Sequence, residues 1–291
     1  MAGQATVYSP LIKNERGTIS VEFSADHPGY HDKGYQEHRA RIARAALDYR
    51  SGDPAPLIDY TDEEHEIWRV ISAEFAGKHQ RYACREYLEA AERLALPADR
   101  LPQLREASAA LRRETGFVFE PAPGLVEQRD FYGSLADQRF QATQYIRHPS
   151  YPRFSPEPDM IHEVVGHGTH LCSPRWARIY ELIGHTIRRL ETPEPVNAIS
   201  RVFWFTIEYG LVRENGELKA CGASLLSSPG ELEQFHRAEI RPLDTASMAH
   251  QTYQVQNYQP VLYYAESMSH LEDTLSEFLT SARDRAEAPT G

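Results

Sequence analysis

The most informative stretch of the sequence is Asp159-Met-Ile-His162-Glu163-Val-Val-Gly166-His167. Its two histidines are five residues apart, whereas the His-Glu-x-x-His pattern of zinc peptidases spaces them by four, about 40° around an α-helix. Five residues span about 140° on an ideal α-helix, so both imidazoles reach one metal ion only if the helix ends or distorts between them. Gly166 permits such a distortion because glycine adopts backbone conformations that other residues avoid.

A carboxylate on a separate element would complete a metal site with these histidines. Two neutral imidazoles and one carboxylate on one face of an ion leave positions open for oxygen and substrate, which is typical of non-haem Fe(II). Glu208 is the candidate, because it interrupts an apolar helical run and a buried glutamate is costly unless it is paired or metal-bound. From the residues alone, an ion pair of Glu208 with Arg201 or Arg213 stays open as the alternative.

The composition excludes several classes of protein. The chain has 291 residues, 41% hydrophobic and 25% charged, which excludes a disordered chain, a fibre and a disulfide-framed miniprotein. Lysine and arginine number 31 against 42 aspartates and glutamates, a net charge of −11, so a nucleic-acid partner is not expected. Three widely separated cysteines, no apolar run of membrane-helix length and no secretion signal predict a cytoplasmic protein with reduced thiols and no membrane partner.

Helical periodicity dominates the chain. Thr61-Asp-Glu-Glu64 and Ser269-His-Leu-Glu272 are predicted capping boxes, and Ser173 followed by Pro174 predicts another helix start. Further helices are expected over 35–49, 81–95, 102–114, from 159 and over 196–209, and strands at 117–119, 140–145 and 252–258. The predicted fold class is mainly α with a few short β-strands, in one domain.

Longer motifs resemble the catalytic domain of the tetrahydropterin-dependent aromatic amino acid hydroxylases, of the phenylalanine hydroxylase type. Ser155-Pro-Glu-Pro-Asp159 runs into the histidine stretch, and Trp204-Phe-Thr-Ile-Glu208-Tyr-Gly-Leu211 follows it. Further matches, in family order, are Asp26-His-Pro-Gly-Tyr30, Gly116-Phe117, Pro123-Gly-Leu125, Thr143-Gln-Tyr-Ile-Arg-His148, Leu225-Leu-Ser-Ser228 and Ala265-Glu-Ser267. The resemblance implies a catalytic domain over 26–280, with an N-terminal arm over 1–25 and a polar tail over 281–291.

The resemblance also implies two cofactors, Fe(II) and a tetrahydropterin such as tetrahydrobiopterin. The implied iron ligands are His162, His167 and Glu208, and Glu163 is an implied catalytic acid that contacts the pterin through water. The other positions that match pterin-binding residues are Gly124, Leu125, Val126 and Phe131, of which Phe131 would stack on the pterin ring.

Substrate positions follow from the same resemblance. Arg147 matches the residue that binds the substrate carboxylate, with Ser155 and Asp159 in support. Pro156 and Trp204 match walls of an aromatic pocket, and Ser227 matches a hydrogen-bond partner of a ligand histidine.

Two pocket residues depart from the family pattern. Tyr209 stands where phenylalanine is usual, and Ser224 stands where glycine is common. With Trp204 favouring phenylalanine or tyrosine as substrate, we expect a monooxygenase that converts phenylalanine and O₂ to tyrosine. Hydroxylation at the meta carbon is the second expectation, and tyrosine or tryptophan are the alternative substrates.

Three other interpretations and one expectation about assembly remain at this point. A zinc hydrolase would use Glu163 as its base, and Cys172 could join His167 and His170 in a zinc site. A non-catalytic binding module would keep the scaffold without the reaction. His148, His170 and His185 are interpreted as structural or surface residues. No regulatory domain and no long heptad helix is evident, so we expect a monomer.

Overall fold

Helices account for most of the regular structure. The structure, a computed structural model, describes residues 11–13, 19–153, 155, 157–255 and 257–284. The α-helices of this part of the chain are α1 Lys33–Asp48, α2 Asp62–Tyr82, α3 Arg85–Leu94, α4 Leu104–Glu114, α5 Gln128–Ser134, α6 Thr169–Leu171, α7 Pro174–Arg188, α8 Pro193–Phe203, α9 Ala223–Leu226, α10 Pro229–Gln234, α11 Thr245–Met248 and α12 Met268–Ser281. Short 3₁₀ turns lie at Leu135–Asp137 and Phe235–Arg237. The mainly α prediction is confirmed.

Two helical segments have the wider π form. They are Ile161–Gly168, which continues into α6, and Trp204–Glu208, which continues α8. π-Helical hydrogen bonds join residues five apart instead of four, and such turns occur frequently at functional sites. Each segment carries candidate metal ligands, so the two departures from α-helical geometry meet at one place in the fold.

The strands are short and form three sheets in the described chain. They are β1 Leu11–Lys13, β2 Ile19–Val21, β3 Val118–Pro121, β4 Arg139–Ala142, β5 Leu211–Glu214, β6 Glu217–Ala220, β7 Glu239–Pro242 and β8 Val261–Ala265. β1 pairs antiparallel with β2, β3 pairs parallel with β4, and the third sheet has the order β6-β5-β8-β7. Strand β5 follows the Glu208 segment, and its first residues, Leu211 and Val212, pair with Tyr264 and Ala265 of β8. This pairing anchors the Glu208 segment to the sheet.

The local signals at two helix starts are confirmed. Thr61 accepts a hydrogen bond from the Glu64 amide at 3.2 Å, and the Glu64 carboxylate accepts one from the Thr61 amide at 2.7 Å. Ser173 is the N-cap of α7, and Pro174 is its first residue. Both motifs satisfy backbone amides that would otherwise lack a partner, which is why they can be read from a few residues.

Two predictions near the C-terminus are wrong. Residues 252–255, 257 and 258 form no strand, because the side-chain amide of Gln259 donates to the Gln254 and Asn257 carbonyls and holds this segment as a loop. The N-cap of α12 is Ser267, two residues before the predicted Ser269, because the Ser267 hydroxyl accepts from the His270 amide at 3.1 Å. No helix in the described ranges is both long and apolar enough to cross a membrane.

Candidate metal centre and adjoining cavity

The π-helical turn brings the two histidines of the opening motif together. His162 and His167 lie five residues apart on Ile161–Gly168, and the wider turn places both imidazoles on one side. Their Nε2 atoms are 3.0 Å apart, and the rings are nearly perpendicular. The expectation that the helix must distort between them is confirmed.

Gly166 has a packing role in this turn. A Cβ atom at this position would lie 2.8 Å from the Ala223 carbonyl oxygen, closer than real Cβ contacts come. The absence of a side chain therefore lets α9 approach the histidine helix. Gly166 was expected to act through the flexibility of its backbone. In the structure its contribution is its small size, which permits the close approach of Ala223.

Glu208 completes the cluster from the second π-helical turn. Its Oε1 lies 3.2 Å from His167 Nε2, and its Oε2 lies 3.9 Å from His162 Nε2 and accepts a hydrogen bond from Ser224 Oγ at 2.7 Å. Burial opposes ionisation, but the two imidazoles and the Ser224 hydroxyl outweigh it and lower the pKa of Glu208 to about 2. Glu208 does not form the alternative ion pair with Arg201 or with Arg213.

The two candidate arginine partners of Glu208 bind elsewhere. Arg201 donates to the Ala249 carbonyl at 3.1 Å, and Arg213 pairs with Glu266 at 2.9 Å. Glu208 is therefore a buried carboxylate whose nearest polar neighbours are two imidazoles and a hydroxyl.

The donor set fits a divalent iron ion. His162, His167 and Glu208 each offer one donor atom, all within 4.8 Å of one another, and they are the one such group found among the described residues. Burial, reinforced by His167, lowers the pKa of His162 to about 4, so this imidazole is neutral as a metal ligand must be. A separation near 3.0 Å between the nitrogens is that of ligands at right angles about 2.1 Å from an ion. Two imidazoles and a carboxylate arranged in this way match the facial triad of non-haem Fe(II).

The outward nitrogen of each histidine has its own partner. His162 Nδ1 lies 3.2 Å from Ser227 Oγ, as the resemblance implied, and His167 Nδ1 lies 2.7 Å from the Tyr180 hydroxyl. The same hydroxyl lies 3.1 Å from His170 Nδ1, and His170 Nε2 lies 2.8 Å from the Cys221 carbonyl oxygen. No role was predicted for Tyr180. The one sequence feature that could have linked His170 to the site was its position about one helical turn after His167.

The alternative zinc site of Cys172 with His167 and His170 is not assembled. Both ring nitrogens of His170 are occupied by Tyr180 and the Cys221 carbonyl. Among the described residues the group of donor atoms close enough to share a metal ion contains His167 but neither His170 nor Cys172.

Arg147 and Asp159 form a buried ion pair beside the cluster. The Arg147 side chain donates from Nε and Nη2 to the two Asp159 oxygens, both at 2.8 Å, and Asp159 also accepts from the Arg147 and His162 amides. Asp159 is fully buried and Arg147 is 5% exposed. Nη1 donates to the Pro152 carbonyl at 3.3 Å, and the remaining N–H groups of the guanidinium are left for a further anion.

A cavity of about 280 Å³ lies over the cluster. The predicted residues that line it are Leu125, Arg147, Ser155, His162, Trp204, Glu208, Tyr209, Ser224 and Ser227. The predicted pocket residue Pro156 lies outside the described residues. Lining residues without a predicted role are Glu157, Pro158, Ser228, Glu231 and Val255. The cavity thus combines one arginine, two of the three metal-ligand candidates (His162 and Glu208) and aromatic walls.

The loop before β8 holds the aromatic wall. The Trp204 indole stacks on Tyr253 with ring centroids 4.2 Å apart, and its Nε1 donates to Gln259 Oε1 at 3.0 Å. The backbone N–H of Gln259 in turn donates to Glu231 Oε1 at 2.6 Å. Burial raises the pKa of Glu231 to about 7. Neither partner of Trp204 was predicted; Tyr253 lies in the segment that was expected to be a strand, and Gln259 follows directly after it.

Of the predicted pterin residues, Leu125 lines the cavity, whereas Phe131 and Glu163 are not among its lining residues. Phe131 packs edge-to-face on Phe140, with centroids 5.2 Å apart, and the Phe140 ring lies 4.7 Å from that of His167. Leu125 is exposed, whereas Gly124 is buried and Val126 is half-buried. Glu163 accepts from the Thr143 amide and hydroxyl at 2.9 and 3.1 Å, and burial raises its pKa to about 7.

Comparisons with known proteins agree with this arrangement. A model of the biopterin-dependent aromatic amino acid hydroxylase family matches residues 12–286. Phenylalanine 3-hydroxylase of Streptomyces coeruleorubidus is 46% identical over 253 residues, which are 87% of this chain and 91% of that protein. Tyrosine 3-monooxygenase of Bos taurus is 43% identical over 263 residues, 88% of this chain, which spans about half (53%) of that relative. The crystal structure of Chromobacterium violaceum phenylalanine hydroxylase with iron(III) and 7,8-dihydrobiopterin superimposes with a TM-score of 0.74 at 26% identity, covering 86% of this chain and 96% of that one.

Proposed function

The chain belongs to the biopterin-dependent aromatic amino acid hydroxylases, which are pterin- and iron-dependent monooxygenases, and on this premise we propose that it hydroxylates the ring of free phenylalanine. One observation carries the substrate proposal: the cavity over the two histidines and Glu208 is also lined by Arg147 and Trp204. A charged end group and a flat apolar wall suit a small amino acid with an aromatic side chain.

In this proposal His162, His167 and Glu208 hold Fe(II). Iron bound there with a reduced pterin supplies the activation of O₂, which protein side chains cannot perform. Because His162 and Glu208 line the cavity, the metal positions that the three ligands leave unoccupied face it in this proposal. The Nδ1 atoms of the two histidines point away from the metal, toward Ser227 and Tyr180.

Arg147 binds the substrate carboxylate in this proposal through the N–H groups of its guanidinium that Asp159 and the Pro152 carbonyl leave unoccupied. Asp159 keeps the guanidinium in place with two hydrogen bonds and preserves overall neutrality of the buried pair. Trp204, stacked on Tyr253, forms a wall for the substrate ring. Ser155, whose hydroxyl donates to the Glu157 carbonyl at 2.6 Å, supports the loop on the Arg147 side.

The pterin is assigned to the Phe131 side of the site. Phe131 offers an aromatic face, and the backbone of Gly124, Leu125 and Val126 offers hydrogen bonds to the pterin edge. Glu163 is held by Thr143 and, with a raised pKa of about 7, carries or releases a proton near neutral pH. These roles are supported by the resemblance and by the position of each residue around the histidine helix.

A second product is favoured by a specific observation. Tyr209 and Ser224 both line the cavity; the Tyr209 ring packs 4.9 Å from Trp204, and Ser224 binds Glu208. Their bulk and polarity lie where a substrate ring would meet the metal, and the relative at 46% identity is a phenylalanine 3-hydroxylase. Hydroxylation at the meta carbon is therefore the second candidate beside conversion of phenylalanine to tyrosine.

Product analysis tests both candidates. Iron-loaded protein, a reduced tetrahydropterin and O₂ are incubated separately with phenylalanine, tyrosine and tryptophan, and products are separated against authentic para- and meta-tyrosine. Either isomer from phenylalanine supports the substrate proposal and identifies the ring carbon. Pterin oxidation with hydroxylation of tyrosine or tryptophan alone would replace phenylalanine as the substrate.

The ligand assignment is tested by iron content. Glu208→Ala is expected to lose bound iron and turnover, whereas Glu266→Ala, which removes an exposed carboxylate paired with Arg213, is expected to keep both. Retention of iron and turnover in the first variant would refute the ligand set.

Assembly and location complete the proposal. We propose a monomer, and light scattering that gives the mass of a tetramer would contradict it. A cytoplasmic location is supported by Cys84, Cys172 and Cys221, which are buried free thiols.

A further inference from the structure

A chain of hydrogen bonds leads from His167 to the protein backbone. The Tyr180 hydroxyl bridges His167 Nδ1, at 2.7 Å, and His170 Nδ1, at 3.1 Å; His170 Nε2 ends the chain at the Cys221 carbonyl, at 2.8 Å. The side chains are secluded from water, with His167 2% exposed and His170 and Tyr180 fully buried. Each link therefore has to be satisfied within the chain itself.

The direction of every donor in this chain follows from its end. A carbonyl oxygen only accepts, so His170 Nε2 carries a proton. In a neutral imidazole the other nitrogen is then an acceptor, and the Tyr180 hydroxyl must donate to His170 Nδ1. The Tyr180 oxygen is left to accept, and its donor is the Nδ1–H of His167.

The opposite direction would require a buried charge. If Tyr180 donated to His167, His170 would have to donate from both nitrogens and become an imidazolium. Within the described part of the chain no carboxylate hydrogen-bonds to the His170 ring, and its face stacks on Trp176 with centroids 4.4 Å apart. An isolated buried charge of this kind is strongly disfavoured.

We propose that the Cys221 carbonyl, His170 and Tyr180 form a relay that fixes His167 in the Nδ1–H tautomer and keeps its Nε2 lone pair available as a metal donor. The statement about the tautomer rests on the hydrogen bonds alone, and the statement about the metal rests on the proposed function. His170 and Tyr180 are positioning residues in this scheme, because they act on the site through His167.

The other candidate ligand is held in the same tautomer by a shorter route. Ser227 Oγ donates to the Ser224 carbonyl at 3.2 Å, so it accepts from His162 Nδ1–H. Both routes end on backbone carbonyls of the segment Cys221–Ser224, and Ser224 Oγ binds Glu208. One four-residue segment thereby orients all three donors.

Two variants separate the parts of the relay. Tyr180→Phe removes the hydroxyl alone, so His167 Nδ1 loses its partner and the ring is free to exchange tautomers. His170→Leu leaves the hydroxyl without its acceptor; the hydroxyl then donates to His167 Nδ1 and favours the Nε2–H tautomer, which cannot bind a metal. The matched control is Tyr263→Phe, which removes a hydroxyl of a buried tyrosine that contacts Ser247 and no histidine.

The first readout is taken on metal-free protein. The test concerns Nδ1 alone, because His167 Nε2 lies 3.2 Å from Glu208 Oε1 and 3.0 Å from His162 Nε2 and can hold a proton of its own until a metal displaces it. Long-range ¹H–¹⁵N spectra of the imidazoles are expected to show a proton on His167 Nδ1 in the unaltered protein and in Tyr263→Phe, and a partly or wholly unprotonated Nδ1 in the other two variants. An unaltered protein with an unprotonated His167 Nδ1 would overturn the relay even if the enzyme is active.

The second readout is the affinity for Co²⁺, titrated into metal-free protein. We expect Tyr180→Phe and His170→Leu to weaken binding by about 10- to 100-fold, the usual effect of losing a partner behind a ligand histidine. Equal affinities in Tyr180→Phe, His170→Leu and Tyr263→Phe, all with intact thermal unfolding, would contradict the proposal. Absence of Co²⁺ binding in the unaltered protein would instead contradict the proposed function and leave the tautomer measurement decisive for the relay.

Discussion

Replacing Arg147 with methionine removes the one cation that lines the cavity. The guanidinium would bind the substrate carboxylate while Asp159 occupies its Nε–Nη2 edge. Loss of one partner of a buried hydrogen-bonded charge pair costs about 2–5 kcal/mol, which corresponds to a decrease of about 30- to 4,000-fold in kcat/KM for phenylalanine. The effect is expected mainly in KM, with bound iron unchanged.

The variant has a cost in stability that the assay must separate from binding. Without Arg147, the buried Asp159 carboxylate keeps only the two amide hydrogen bonds, and breaking such a pair destabilises the fold by about 3–5 kcal/mol. Arg147→Lys retains the charge and loses the two-pronged geometry, so it should be intermediate in KM and closer to the original in stability. Arg153→Met, an exposed change in the same loop, is the control and should leave KM unchanged.

A substrate comparison makes the test specific for the carboxylate. Phenylalanine and 2-phenylethylamine differ by this group, so the original enzyme should prefer phenylalanine strongly and Arg147→Met should lose most of that preference. Equal discrimination by both proteins, or an unchanged KM for phenylalanine in Arg147→Met, would show that the carboxylate binds elsewhere.

Three further predictions concern the supports of the site. Gly166→Ala should lower the melting temperature and the iron content, because its Cβ would lie 2.8 Å from the Ala223 carbonyl. The control is Gly77→Ala in α2, where a Cβ meets no atom within 4 Å; it should be neutral or stabilising by about 0.5–1 kcal/mol. Equal melting temperatures of the two variants would contradict the packing role of Gly166. Gln259→Leu should reduce the fraction of pterin oxidation that yields hydroxylated product, because Trp204 Nε1 loses its acceptor and the Gln254 and Asn257 carbonyls lose their donor; unchanged coupling in this variant would remove Gln259 from the site. Because the folded-state pKa of Glu231 is raised to about 7, the folded protein binds its proton more tightly than the unfolded chain, and the free energy of unfolding should fall as pH rises from about 4.5 to 7. Glu231→Gln should therefore match the original protein at pH 4.5 and exceed it at pH 8 by roughly 3 kcal/mol in urea unfolding, and a difference independent of pH would refute the shift.

Local sequence signals predicted those parts of the fold that a few neighbouring residues determine. Thr61 and Glu64, and Ser173 with Pro174, satisfy backbone amides within one turn, so the helix starts could be identified. The strands β5 to β8 were missed because they have four or five residues each and, apart from the hairpin of β5 with β6, pair across long sequence separations. Pairing of that kind depends on tertiary packing more than on the local pattern.

The site shows the same division. Glu208 could be identified because a carboxylate inside an apolar helical run requires a compensating partner. The π-helical turn was anticipated only as some distortion, since the bond shift from four to five residues depends on how α9 packs on Gly166. Tyr180 and Gln259 carry no local signal, because their roles depend on partners that tertiary packing brings to them: His167 and His170 for Tyr180, and Trp204, 55 residues earlier, for Gln259.

The π-helical turn at Ile161–Gly168 also constrains the length of the chain. Deleting Val164 or Val165 would let the segment return to ordinary α-helical bonding, with the histidines four residues and about 40° apart on the helix instead of in the positions of the π-helical turn. The hydrogen bond between His167 and Tyr180 and the contact of α6 with α3 are made from the π-helical positions, so we expect both to be altered. In this segment the number of residues is therefore as restricted as their identity, and insertions or deletions should be tolerated instead in exposed loops such as Ser51–Asp53.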